Sequence, residues 1–479
     1  MNRFALRIVD LLNRRGVEYG DVRVVRRRSE LFQVKNGALE AWSDEEELGF
    51  GVRVLLGGFW GFAAANELTE QQADRTLAQA LRLARASAIV GGQKVRLAPV
   101  RPRVTEDVGS CLEDPFLVSA EDKIGLLLRA TDGMAGPAGV AYAQAHLGSL
   151  QETKVFASTG GALISQTFTE TGGGVSMAAI RDGDVQTRSY PSAGLGSWGQ
   201  GGFEYVRRLD LAAHAPRLAE EAVALVSAPS CPACVTTLIL DADQMALQVH
   251  ESVGHPTELD RILGSEASYA GTSFVSPGDL GHLQYGSEYV DIVADATTPG
   301  GLGTHAFDDE GVPGQRTKLV HKGRLVGLLT SRETAGALGQ ESTGAMRASG
   351  WNRIPLIRMT NINLLPGTWA LDDLIADTAS GILMATNKSW SIDDKRLNFQ
   401  FATEIGWEIK NGRLGRMLKD CTYTGSTPAF WKSCDAVCDQ DHWRLFGVTN
   451  CGKGEPGQTA HVGHGVSPAR FRDVMAGVA

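Results

Sequence analysis

Residues Leu247–Asp260, with the sequence LQVHESVGHPTELD, hold two histidines five positions apart, and this spacing constrains the local fold strongly. In the zinc-protease pattern H-E-x-x-H the imidazoles are four positions apart, which places them on one face of a helix. At about 100° per residue, a spacing of five turns His255 away from His250 by roughly 140° on a regular helix. The rings can therefore share a metal only if the helix is irregular between them. We expect a π-bulge or a helix end at Gly254.

A third ligand is needed as well, because a catalytic zinc site usually has three protein ligands and one position open for water. Cys451, in the glycine-rich segment TNCGKGEPGQ, is a candidate. The other candidates are Glu258, Asp260, Glu266, His282, Glu288, His305 and the remaining cysteines. The competing interpretation is that His250 and His255 are surface or helix-capping residues and that Glu251 is a solvated helix charge.

Two further groups of residues could bind a metal or another cation, but each also has a simpler explanation that involves no binding. Cys231 and Cys234 could form a four-thiolate zinc site with Cys434 and Cys438, although two incidental thiols in a linker fit the spacing better. The acidic run Asp308–Glu310 could bind a cation or peptide amines, but composition favours a solvated loop.

Composition narrows the class of protein. The chain has 479 residues, enough for two or three domains, and no apolar run of membrane-spanning length. Its net charge is −9 and its basic residues are dispersed, which argues against a nucleic-acid partner. Seven cysteines without a short disulfide framework favour reduced thiols and a cytoplasmic location. We therefore expect no membrane and no nucleic acid as partners.

Periodicity predicts an α+β fold with mixed helix and mainly antiparallel sheet. An N-terminal α/β region is followed by a strand-rich C-terminal domain that carries the metal site. The proline-bearing segment SAPSCPAC marks the boundary, which gives domains at residues 1–228 and 229–479. The first of these can divide into subdomains at about 1–95 and 115–228. We expect an opening helix, a helix capped by Thr69, a helix near Ser119, and a turn over Pro191–Gly202.

Five segments, taken in order along nearly the whole chain, resemble the TldD/PmbA family of metalloproteases. They are LGFGVRVLLGGFWGFAAAN (Leu48–Asn66), HESVGH (His250–His255), AFDDEGVPGQRTKLVHKGRLVGLLT (Ala306–Thr330), IRMTNINLLPG (Ile357–Gly367) and CGKGEPGQ (Cys451–Gln458). Because the histidine-glutamate motif is present, the resemblance is to the TldD-like, metal-bearing subunit.

The resemblance implies roles for four residues. His250, His255 and Cys451 would bind the metal, and Glu251 would be the catalytic glutamate. The metal would be zinc, although the ligand types leave iron or another divalent ion open. The substrates would be small or unfolded peptides, and the active unit a homodimer or a heterodimer with a PmbA/TldE-like subunit. The segment after His255 is longer than is usual in the family, which bears on the shape of the cleft.

Two other functions remain open from the sequence. The chain could be a non-catalytic partner subunit that supplies half of a dimeric peptidase chamber. It could also be a metal-dependent amidase or deformylase that acts on a small amide.

Overall fold

An eight-stranded sheet with helices packed on it forms the N-terminal part of the protein, in a computed structural model that describes residues 1–136, 139–194 and 196–477. The helices are α1 (Asn2–Arg14), α2 (Glu70–Val90), α3 (Ala120–Met134), α4 (Phe203–Leu209) and α5 (Leu211–Leu225). The strands are β1 (Tyr19–Lys35), β2 (Ala38–Leu56), β3 (Phe59–Ala65), β4 (Val104–Val108), β5 (Val140–Ser158), β6 (Leu163–Arg181), β7 (Asp184–Tyr190) and β8 (Ser197–Gln200). Their order is β3-β2-β1-β5-β6-β4, and β7 and β8 also pair with β6. All pairs are antiparallel except β4–β6.

The predicted helices of this part are confirmed, and local chemistry explains where they begin. Thr69 accepts a hydrogen bond from the backbone N–H of Gln72 at 3.2 Å, and Ser119 accepts one from Asp122 at 3.1 Å. Each bond satisfies one of the free N–H groups of a first helical turn. Helix α1 buries Ile8 and the other apolar residues of one face against the sheet.

One strand lies where we expected only a turn. Within Pro191–Gly202, of which residue 195 lies outside the described residues, Ser197–Gln200 pairs with β6 as β8. The indole of Trp198 packs directly on Gly148 and Gly172, where any side chain would collide with it. Glycines on two neighbouring strands therefore create the site for a tryptophan far along the chain.

The C-terminal part contains a ring of five paired strands. Its helices are α6 (Ala242–Val249), α7 (Leu259–Ile262), α8 (Arg332–Leu338), α9 (Leu371–Ala376) and α10 (Thr427–Lys432). Its strands are β9 (Cys234–Leu240), β10 (Ile292–Asp295), β11 (Arg316–His321), β12 (Arg324–Leu325), β13 (Met346–Arg347), β14 (Leu356–Ile357), β15 (Ile362–Leu364), β16 (Ser380–Ile392), β17 (Asn398–Lys410), β18 (Arg413–Leu418), β19 (Cys421–Ser426), β20 (Cys434–Val437), β21 (Arg444–Lys453), β22 (Gln458–Val466) and β23 (Ala469–Ala476). The pairings run β16-β9-β23-β19-β17, and β17 pairs again with β16. Only β9–β16 is parallel within this ring.

Smaller sheets complete the C-terminal part. Strands β12, β11, β10 and β15 form one of them, and β13–β14 and β21–β22 form two hairpin-like pairs. The predicted α+β class with mainly antiparallel sheet is confirmed. The domain boundary at residue 228 remains a prediction. No described helix is long and apolar enough to cross a membrane.

The prediction of a solvated loop at Asp308–Glu310 is wrong. Asp309 lies 2.7 Å from the Nζ of Lys154, and Glu310 lies 3.1 Å from the Nη1 of Arg53. Burial raises the pKa of Asp309, but Lys154 and Arg23 outweigh burial and lower the pKa to about 2. The acidic run therefore joins the two parts of the protein through cations that come from β1, β2 and β5.

Candidate metal centre

The candidate centre begins where β9 leads into α6. Asp241 caps this helix by accepting a hydrogen bond from the N–H of Ala242 at 2.8 Å. A π-helical turn, His250–Gly254, follows α6 directly, and in it the N–H of His255 donates to the carbonyl of His250. A 3₁₀ turn over His255–Thr257 comes next.

The π-helical turn brings the two histidine rings to the same side of the helix. Because it takes in one more residue than an α-helical turn, it brings His255 back to the side of His250. The ring centroids lie 5.0 Å apart with an interplanar angle of 80°. A Cβ at Gly254 would lie 2.1 Å from the Sδ of Met359, so this close approach requires a glycine. The predicted helix irregularity is confirmed.

Cys451 reaches the same place from β21. One donor atom from each of His250, His255 and Cys451 lies within 4.8 Å of the others, and all three side chains are buried. The Sγ of Cys451 is 3.8 Å from Nε2 of His255. Within the described ranges, no second group of three such donors is found. The interpretation of the two histidines as surface residues is therefore wrong.

The donor set fits a divalent cation of the zinc type, which commonly takes imidazole nitrogen and thiolate sulfur together. Burial by itself raises the pKa of the Cys451 thiol. The neighbouring His250 and Arg358 outweigh burial and hold this pKa well below its ordinary value. The site therefore favours the thiolate, which is the form that binds metals.

Each of the two histidines has a hydrogen-bond partner at Nδ1. Nδ1 of His255 lies 3.0 Å from Oε2 of Glu258, and Nδ1 of His250 lies 2.8 Å from Nε2 of His464. Such partners fix the orientation of metal-binding imidazoles. The sequence analysis considered Glu258 only as a ligand and did not consider His464. His464 follows Cys451 closely in the sequence, but no sequence pattern pairs it with His250.

Lys453 holds the carboxylate of Glu258 in place. Its fully buried Nζ lies 3.2 Å from Glu258, 2.7 Å from Asp260 and 3.4 Å from Glu266. Burial raises the pKa of Glu258, but the charges of Lys453 and His255 outweigh burial and lower it. Three of the ligand candidates thus surround a lysine, and among them Glu258 alone forms a hydrogen bond to a histidine of the group.

Glu251 is buried and forms an ion pair with Arg396, which lies in the turn between β16 and β17. Burial raises the pKa of Glu251. The neighbouring His250, His255 and Arg396 outweigh burial and lower this pKa below its ordinary value. The carboxylate is therefore ionised and able to accept a proton at neutral pH.

The remaining candidates lie elsewhere. His305 faces the carbonyls of Gly303 and Gly344, and neither His282 nor Glu288 joins the donor group. Cys231 contacts the thiol of Cys421. The four-thiolate site is not formed among the residues that the structure describes.

The long segment after His255 folds over the neighbourhood of Cys451. The guanidinium of Arg261 donates to the carbonyls of Ala270, Thr272 and Asp394, which holds the segment in a compact form. The ring of Tyr269 packs on Gly454, where a Cβ would lie 2.5 Å from it. The added residues therefore cover the loop that follows the cysteine.

Family models with the description PmbA/TldA metallopeptidase match three successive stretches of the chain. Domain 1 matches residues 20–88, the central domain 113–228 and the C-terminal domain 233–475. The last match alone takes in about half of the chain. The chain belongs to the PmbA/TldD metallopeptidase family. The resemblance in the sequence is thus confirmed.

Relatives within the PmbA/TldD family carry metalloprotease names. A metalloprotease of Methanothermobacter thermautotrophicus is 30% identical over 461 residues, which cover 96% of each chain. A metalloprotease of Methanocaldococcus jannaschii is 29% identical over 454 residues, 94% of each chain. A Saccharolobus solfataricus protein named zinc metalloprotease TldD homolog is 24% identical over 245 residues, 50% of this chain and 51% of that one.

Solved structures of similar fold cover nearly the whole chain. A Thermotoga maritima protein described as a candidate modulator of DNA gyrase superposes with a TM-score of 0.78 at 18% identity, covering 99% of both chains. TldE from Thermococcus kodakarensis superposes with a TM-score of 0.72 at 14% identity, covering 99% of this chain and 100% of its own. At these identities the likeness concerns the fold alone.

Proposed function

We propose that this protein is a metallopeptidase that hydrolyses small or unfolded peptides, with one divalent cation, zinc in the first place, held by His250, His255 and Cys451. The observation that carries the proposal is the convergence of these three buried donors within 4.8 Å. The zinc metalloprotease name of one relative and the donor chemistry both support zinc. Iron is the alternative that the ligand types leave open.

Bound zinc would lower the pKa of the attacking water and polarise the substrate carbonyl. Glu251 would then act as the general base, because it directly follows a proposed ligand and its pKa lies below its ordinary value. It would take a proton from the attacking water and return it to the leaving amine. Arg396, paired with one carboxylate oxygen, would hold Glu251 in position and keep it ionised.

The burial of the centre supports a preference for small or unfolded substrates. Glu251 and the three donor residues each have 5% or less of their surface exposed. The backbone of a folded protein cannot reach donors at that depth. A cavity of about 100 Å³ lies between the N-terminal sheet and β22, and its lining includes Glu152 and Ala460. Ala460 is the cross-strand partner of Cys451, so this small cavity adjoins the hairpin that carries the proposed ligand.

We propose further that the protein works as a dimer, with a second copy or with a PmbA/TldE-like subunit. The similarity in fold to a TldE structure supports the second form. The cytoplasmic location remains a prediction, which rests on the seven cysteines and the lack of a short disulfide framework in the sequence.

The proposal is tested by the cleavage of one protein in two states. Purified protein reconstituted with Zn²⁺ should cleave a reduced and alkylated, unfolded substrate and leave its folded form intact. Removal of the metal by a chelator should abolish cleavage. Equal cleavage of both forms would contradict the substrate class, and cleavage without metal would contradict the mechanism. Cleavage of peptide bonds between residues of the substrate would exclude a deformylase, which releases only formate.

A further inference from the structure

A third histidine, His464, contacts a histidine of the donor group. It is on β22, its side chain is fully buried, and its Nε2 is 2.8 Å from Nδ1 of His250. The ring centroids of the two histidines are 4.8 Å apart with an interplanar angle of 69°. His464 is not a member of the three-donor group.

His464 lies among apolar residues of β22. Val462 and Val466 on the same strand are fully buried, and the hydrophobic core continues on both sides of the histidine. Burial of a polar ring in such a place costs free energy unless the ring is hydrogen-bonded. A valine or leucine would fill this position without that cost. The ring has polar contacts with the backbone of Ile362 and with Nδ1 of His250, and the second of these links it to the donor group.

The hydrogen bond between the two rings determines which nitrogen of His250 is free. A neutral imidazole carries one N–H and one lone pair. If His464 donates, Nδ1 of His250 is the acceptor and its Nε2 carries the hydrogen, so Nε2 cannot bind a metal. If His464 accepts, Nδ1 of His250 carries the hydrogen and Nε2 presents a lone pair.

We propose that His464 is a positioning residue that accepts a hydrogen bond from Nδ1–H of His250 and so holds His250 in the tautomer whose Nε2 binds the metal. His464 itself then carries its hydrogen on Nδ1, which is buried next to the backbone of Ile362. This inference rests on the proposed function, because it needs His250 to be a ligand. The two histidines of the centre are held differently, since His255 has a carboxylate partner and His250 an imidazole.

Two substitutions separate the hydrogen bond from the volume of the side chain. In His464→Gln an amide oxygen can take the place of Nε2 as acceptor, whereas His464→Met fills a similar volume without a strong acceptor. A matched control is His461→Met, on the same strand, because His461 contacts Glu170 instead of His250. His464→Leu provides a second apolar replacement if the Met variant does not fold.

The measurement is the affinity of each protein for Co²⁺, determined by competition with a chelator, together with the visible spectrum of the bound ion. Loss of an outer hydrogen-bond partner typically weakens metal binding by about 10-fold to 100-fold. We expect that loss and a changed spectrum in the Met and Leu variants. We expect the Co²⁺ affinities of the Gln variant and of His461→Met to stay within about threefold of the wild-type affinity. Such a change is well below the loss of about 10-fold expected when the hydrogen-bond partner is removed.

Two results overturn different statements. If the Met and Leu variants bind Co²⁺ like the wild type with an unchanged spectrum, His464 has no positioning role and the proposed function stands. If His250→Ala binds Co²⁺ as tightly as the wild type, His250 is not a ligand, and the proposed centre fails together with the role of His464.

Discussion

Nδ1 of His255 lies 3.0 Å from Oε2 of Glu258, on the side of the ring opposite Nε2, which faces Cys451. This carboxylate orients the ring and makes the nitrogen that faces the cysteine more basic. Glu258→Gln should therefore weaken zinc binding by about 10-fold to 100-fold. Asp260→Asn is the matched control, because Asp260 also contacts Lys453 but forms no hydrogen bond to His255. Equal zinc affinities of the two variants in a chelator competition would contradict the role of Glu258.

Glu251→Gln should abolish the proposed turnover and leave metal binding intact. The amide has nearly the same shape but cannot accept the proton of the attacking water. We expect kcat to fall by at least about 100-fold. Peptide cleavage and metal content are measured on the same preparation. A variant that retains both would show that Glu251 is not the base, and an inactive wild type with full metal content would favour the non-catalytic partner subunit.

The ion pair between Arg396 and Glu251 predicts a pH effect. Because Arg396 lowers the pKa of Glu251, its removal raises that pKa, and a base with a raised pKa is lost at higher pH. The acidic limb of the kcat/KM profile of Arg396→Gln should therefore move upward by about one pH unit. Lys395→Gln removes a charge from the same turn and should leave the limb in place. A shift of the limb in the opposite direction would rule out this electrostatic role.

Asp309 predicts an acid-dependent loss of stability. The pKa of its carboxyl is about 2 in the folded protein and 3.8 ordinarily, so the stabilisation is complete above pH 4 and is lost as the pH falls through 2. The two values correspond to about 2 kcal/mol of unfolding free energy. Wild type should therefore lose about 2 kcal/mol more than Asp309→Asn between pH 4 and pH 2 in urea titrations. Parallel pH profiles for the two proteins would contradict this assignment.

The local parts of the fold and the site were predictable because their causes are local. With the spacing of His250 and His255, the two rings can share a metal only if the helix is irregular, and Gly254 indicates where the irregularity falls. Caps such as Thr69 depend on neighbours within one helical turn. These features needed no knowledge of distant contacts.

Features that depend on distant partners could not be derived in this way. Asp309 looked solvated because the partners that bury it, Lys154 and Arg23, come from strands far earlier in the chain. Cys451 was one candidate among many until the family resemblance selected it. His464 was missed because its contact with His250 spans 214 positions, and no local pattern reports such a pairing.

The most direct test of the proposed centre is the metal content of purified protein by elemental analysis. Wild type is compared with Cys451→Ser, and Cys434→Ser serves as a control because Cys434 is a buried cysteine outside the donor group. We predict one zinc ion per chain in the wild type and the control, and a clear loss of zinc in Cys451→Ser. An equal zinc content in all three proteins would show that Cys451 is not a ligand and would contradict the proposed centre.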